Sequence, residues 1–149
     1  MCLIKSARKG RTDMVVYLFN FNTCQDLALL EIGDQQCSPL YAFGPNIRNE
    51  YIFHYVVSGK GVVMLQPSGE KGQNILSETI EVKAGEGFLI EPHTAHMYRA
   101  DENDPWHYLW VGFNGSLSHR FNELPCVITP PAGMYKKLRE VFAFDGTEE

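Results

Sequence analysis

The sequence predicts an all-β barrel or sandwich followed by a short helical tail. Three observations carry this reading. Short runs rich in aromatic and β-branched residues recur with turn signals roughly every ten residues, at least seven such runs precede Gly115, and beyond Gly115 the apolar spacing changes from that of a strand to that of a helix.

Residues 14–21 and 26–32 read as two strands joined by a turn, and the basic stretch before them, with Lys5, Arg8, Lys9 and Arg11, reads as a flexible arm over 1–16. Residues 33–49, carrying Pro39, Gly44 and Pro45, read as a mostly irregular connection. Residues 51–57 (YIFHYVV) form a clear strand, stopped by Ser58-Gly59-Lys60-Gly61, which reads as a tight hairpin turn with 61–66 as the return strand. Residues 67–74 are turn chemistry at an exposed hairpin tip, and the second half of 75–82 alternates as a strand. After a glycine turn at 84–87 come short strands at 88–90, 96–99 and 106–113, the last two separated by the acidic loop 101–104. Ser116 reads as the cap of a helix to about Leu124, stopped by Pro125; from Gly133, Met134, Leu138, Val141 and Phe142 recur at helical spacing.

At 149 residues and 16.9 kDa the chain is sized for one domain. Hydrophobic content of 44% with 21% charged residues is ordinary for a globular protein, and no apolar run approaches the roughly 18 residues of a membrane span. The apolar run 14–19 imitates a signal peptide after its basic lead, but it is too short and no small-residue cleavage site follows, so the chain reads as cytoplasmic. Cys2, Cys24, Cys37 and Cys126 are irregularly spaced, without a Cys-x-x-Cys pair, and read as free thiols. A net charge of −5 and a pI near 5.5 give no electrostatic footprint for nucleic acid.

Strand alternation sorts the residues that could carry chemistry. If Trp110 faces the barrel interior, so do Tyr108 and Trp106, while His107, Leu109 and Val111 face out; the same period pairs His96 with Tyr98 and His54 with Ile52 and Val56. An interior lined by His54, His96, Tyr98, Trp106, Tyr108 and Trp110 suits a sugar or another small polyol, because indole stacks on the C–H face of a pyranose while phenol and imidazole meet its hydroxyls. Glu31 and Arg48 sit near strand ends, within reach of the mouth of such a pocket. His93 and His96 lie three apart beside Glu91, but Pro92 makes that a turn in which the rings diverge, so no metal site is expected. No serine or cysteine elbow and no glycine loop opening a helix supports a nucleophile or a phosphate cradle.

The blocks 53–61 (FHYVVSGKG), 83–92 (KAGEGFLIEP), 96–98 (HMY) and 104–113 (DPWHYLWVGF), with Gly44-Pro45 and Arg48 upstream, resemble the amino-terminal, sugar-sensing cupin domain of AraC-type transcription regulators over about 17–115. The resemblance implies a double-stranded β-helix (cupin, jelly-roll) barrel over 17–115 that holds a small-molecule effector, a mono- or disaccharide, without cofactor or catalysis. It also implies that 116–149 is a helical segment, either a dimer interface or the start of a linker, and that a separate helix-turn-helix region binds DNA. Since no such pair precedes Glu149, the chain is expected to be the sensing part of a longer, homodimeric regulator, with a stand-alone sensor as the alternative.

In the family's arabinose sensor the tryptophan at the place of Trp110 stacks on the sugar; Tyr98 matches in type, Tyr108 replaces a histidine, and Ser58 replaces a sugar-binding arginine, which points away from arabinose itself. The alternative is a metal-dependent cupin enzyme such as a sugar isomerase or dioxygenase. Those enzymes carry two histidines and a glutamate in the first motif, where this chain reads Asn46-Ile47-Arg48-Asn49 with Ile52 near the glutamate position, and only His96 matches a ligand position.

Overall fold

The computed structural model describes residues 2–9, 13–20, 26–66, 76 and 78–143. Eleven strands are described: β1 (Cys2–Lys9), β2 (Asp13–Asn20), β3 (Ala28–Gln36), β4 (Ala42–Asn46), β5 (Tyr51–Ser58), β6 (Lys60–Leu65), β7 (Glu78–Lys83), β8 (Gly87–Ile90), β9 (His96–Ala100), β10 (His107–Asn114) and β11 (Val127–Ile128). A 3₁₀ turn (Ser118–Glu123) and one helix, α1 (Met134–Phe142), complete them. The strands form two antiparallel sheets, ordered β1-β2-β3-β10-β5-β8-β11 and β4-β9-β6-β7. From β3 onward the chain repeatedly passes between the sheets, so the inner faces of both close on one core, as in a jelly roll.

This wrapping changes several readings. The Ser58–Gly61 turn is a corner, not a hairpin: β5 pairs with β10 and β8, whereas β6 pairs with β7 and β9. Gly59 suits the corner because its φ is +72° and a Cβ there would lie 2.5 Å from the Pro105 carbonyl oxygen. Within 33–49, β3 runs on to Gln36 and β4 forms at Ala42–Asn46, so much of the expected loop is strand. Tertiary pairing with β10 and β9 supplies the ladder bonds that local composition does not announce. Where the sequence suggests an arm over 1–16, the backbone forms β1 and the start of β2, and β2 pairs with β3. The hairpin tip expected at 67–74 and the turn expected between the first two strands at 21–25 lie outside the described residues.

The helix expected from Ser116 is a 3₁₀ turn without a side-chain cap. Ser116 donates instead to the Asp26 carboxylate at 3.0 Å, and Phe121 packs against Phe113 and Tyr51. Helix α1 forms as predicted and docks on the outer face of its own barrel. The Asp34 carboxylate on β3 accepts from Arg139 of α1 at 2.6 Å and from His107 of β10 at 2.5 Å, while Tyr135 stacks on Tyr55 of β5. Leu109, in register with both Asp34 and Tyr55, is fully buried beneath the helix they anchor. Of the apolar stripe, Leu138 is buried and Val141 remains exposed.

Candidate functional site

The inner faces of five strands build the site. β10 turns Tyr108, Trp110 and Gly112 inward; β5 contributes Ile52, His54 and Val56; β3 contributes Glu31, Gly33 and Gln35. Register arranges them in rows: Gly33, Trp110, His54 and Phe88 lie side by side across four strands, with Gln35, Tyr108 and Val56 in the next row. His96 and Tyr98 face them from β9.

The aromatic groups close on one another. His54 stacks on Phe88 at 4.3 Å and meets Tyr98 and Tyr108 edge-on, each at 4.9 Å; Trp110 lies 6.0 Å from His54 and 5.8 Å from Tyr108, and Trp106 caps the far end against Tyr108 and Phe88. Trp110 can tilt across the sheet because its neighbour is Gly33, where a Cβ would fall 1.9 Å from the indole. Gly112 makes room in the same way for Glu31.

Glu31 meets Arg48 at 2.9 Å, and Arg48, from the loop before β5, also holds Glu50 at 2.8 Å. One cation between two carboxylates leaves that end of the site net negative. Thus five of the predicted site residues, His54, Tyr98, Trp106, Tyr108 and Trp110, share one packed cluster; His96 stacks beside Tyr98, and Glu31 and Arg48 pair with each other. The six residues that parity turns inward meet as a set of interlocked rings. Three surface clefts, of about 680, 250 and 370 Å³, lie elsewhere, and none of the three is lined by Trp110, Tyr108, Tyr98 or His54.

Burial controls the ionisation of this cluster. It holds His54 well below the usual histidine range, with His96 and Arg48 adding to the effect, and it lowers His96 against the opposing bond that Nδ1–H donates to the Thr94 carbonyl at 2.9 Å. Burial raises the phenols of Tyr98 and Tyr108 and pushes the Cys37 thiol, beside Tyr108 and Trp106, up to about 11. His54, His96, Tyr98, Tyr108 and Cys37 are therefore uncharged at neutral pH, and the charge of the site is confined to Glu31, Arg48 and Glu50 at its other end.

Both histidines are neutral when folded and return to ordinary values near 6.5 when unfolded, so unfolding takes up protons in acid. Their effect on stability is absent well above pH 6.5, and stability falls as pH drops below it, by up to about 1.4 kcal/mol per pH unit for each histidine. Urea unfolding at pH 7.5 and 5.5 should show this loss, and His54→Phe, which keeps the stack on Phe88, should lessen it.

Sequence reasoning missed Gln35, Cys37, Gly33 and Phe88. Gln35 accepts the Tyr108 hydroxyl at 3.1 Å, and Cys37 closes the same end. The signal was period two continued from Glu31 through Gly33 to Gln35, hidden because 33–49 reads as loop. The buried Nε2 of Gln35, Nδ1 of His54 and Nε1 of Trp106 have no hydrogen-bond partner. Among the described residues, no three His, Cys, Asp or Glu side chains converge as a metal site; His93 is exposed in a turn while His96 points into the barrel.

Residues 30–133 match the family described as the AraC-like ligand binding domain. Over 91 residues the chain is 34% identical to the Msm operon regulatory protein of Streptococcus mutans, covering 61% of this chain and 29% of that protein. It is 32% identical over 90 residues to the raffinose operon transcriptional regulatory protein RafR of Pediococcus pentosaceus, covering 60% and 29%. The chain thus spans less than a third of the curated relatives it matches. Among solved structures, a Cupin 2 conserved barrel domain protein from Salinispora arenicola superposes with a TM-score of 0.53 at 12% identity, covering 78% of this chain and 88% of that one. A tryptophan-to-tyrosine variant of oxalate decarboxylase from Bacillus subtilis superposes at 0.54 and 18% identity, covering 79% and 29%. At these identities the structural likeness shows the fold, a cupin barrel, and not the chemistry.

Proposed function

The chain belongs to the AraC-like ligand binding domain family, and from that premise we propose that its barrel interior holds a small saccharide as the effector of a transcription regulator. The observation that carries this reading is the pairing of the Trp110 indole with buried, unpartnered polar atoms on Gln35, His54 and Trp106. A packed apolar core leaves few such atoms unmet, whereas a polyol supplies oxygens for them and C–H faces for the rings. The relatives support the saccharide class, since one of them is named for a raffinose operon.

On this reading Trp110 stacks on the ligand, Tyr98, Tyr108, His54 and His96 meet its hydroxyls, Trp106 closes the far end, and Arg48 and Glu31 stand at the mouth. Residues 17–115 are the sensing barrel and 116–149 lead away from it. DNA contact belongs to a further region outside these 149 residues, and the regulator works in the cytoplasm as a homodimer. Asp34, His107 and Tyr55, which anchor α1, are chain neighbours of the inward-facing Gln35, Tyr108 and His54, so a ligand that shifts those strands shifts the helix. A metal-dependent enzyme is the weaker alternative, because of the positions where cupin enzymes carry their metal ligands this chain keeps a matching side chain only at His96.

The interlocked rings favour a second reading, a solid barrel that serves only as a scaffold. Calorimetry with lactose, raffinose, sucrose and glucose separates the two: the effector reading expects one of them to bind, with Trp110→Ala weakening it about tenfold or more. The scaffold reading expects none to bind, and the substitution to lower stability alone.

A further inference from the structure

Resting on the saccharide reading, we propose that Gln35 selects which oxygen of the effector the site accepts, by donating its amide N–H to an uncharged hydroxyl, ring or glycosidic oxygen. Gln35 is 2% exposed and stands directly opposite Tyr108 across the β3–β10 ladder, both facing inward. Its Oε1 accepts the Tyr108 hydroxyl at 3.1 Å, while its Nε2 has no partner. The nearby Trp106 Nε1, also buried and unpartnered, is likewise an obligate donor, and the Trp106 and Tyr108 rings touch at 5.6 Å.

Two unmet donors at one end of the barrel call for an acceptor, since a buried N–H without a partner is costly. Of the two, Trp106 is wedged over Gly61 and against Phe88, whereas the Gln35 amide is held only through Tyr108 and has both N–H bonds to give. That acceptor is uncharged. Arg48 already faces Glu31 and Glu50, and the groups around Gln35 are neutral, so a phosphorylated sugar would bury its charge without a counter-ion.

The test is calorimetry on the 149-residue chain. Lactose, raffinose, sucrose and glucose are titrated first, then the monodeoxy analogues and the 6-phosphate of whichever binds most tightly. In the wild type one deoxy position should cost tenfold or more. In Gln35→Met, which keeps volume and loses the donor, that penalty should shrink below about threefold while the penalties at other positions persist. Gln35→Glu, which keeps an acceptor for Tyr108, should weaken the parent sugar tenfold or more; carrying both variants keeps the test decisive if one misfolds. Identical deoxy penalties in the wild type and Gln35→Met, or a 6-phosphate bound as tightly as its parent, would overturn the assignment and leave the saccharide reading standing. Binding of none of the four sugars to the wild type would overturn both.

Discussion

Gly33→Ala is expected to displace Trp110 and to lower both stability and effector binding. The added Cβ would lie 1.9, 2.1 and 2.2 Å from three indole carbons, well inside contact distance, and the ring is held on its other sides by His54 and Tyr108. Either the indole swings out of its row or β3 and β10 part. Overpacking of this kind costs about 1–3 kcal/mol, and more when the neighbours cannot yield. Gly33 does not occupy the left-handed backbone region, so the effect belongs to the side chain rather than to lost conformational freedom. A double-mutant cycle tests this: Trp110→Phe removes the indole carbons that clash, so Gly33→Ala should cost much less in that background when both are measured by urea unfolding. Equal costs in the two backgrounds would mean that Gly33 matters for another reason.

The second large effect is expected at Trp106. It is fully buried, its ring packs against Phe88, Tyr98 and Tyr108, and it lies over Gly61, where a Cβ would fall 2.5 Å from the indole. Its carbonyl also accepts the Cys37 N–H at 3.0 Å, tying the corner after β3 to the corner before β10. Trp106→Ala should therefore cost about 3–5 kcal/mol, a large part of the stability of a domain this size. Trp106→Phe should recover about half of that by refilling part of the cavity. A loss under about 1 kcal/mol in Trp106→Ala would show that the closed end collapses freely around the deletion.

Much of the site was legible from strand parity. Alternation placed Tyr108 and Trp110 inward and His107 and Leu109 outward, paired His96 with Tyr98, and turned His54 to the same interior, because side chains on a strand have only two faces. The parity of Leu109 was right although the residue is buried, since outward here means under α1 rather than in water. Parity was blind wherever the strand itself went unrecognised. Gln35 sits two residues beyond Gly33 and four beyond Glu31, in a stretch whose polar residues read as loop until β10 and β2 are set on either side of it.

By itself, then, the sequence determined the class of fold, the inward ladder of Tyr108 and Trp110, and the helical stripe of α1, all of which follow from the two- and 3.6-residue periods of the backbone. Only the tertiary structure decided the rest: that Gly59 turns a corner between sheets, that Trp110 lies over Gly33, that Arg48 is shared by two carboxylates, and that Asp34 clamps α1. Each is a relation between residues far apart in the chain. Its energy comes from contact, charge and exclusion across strands, which no local period records.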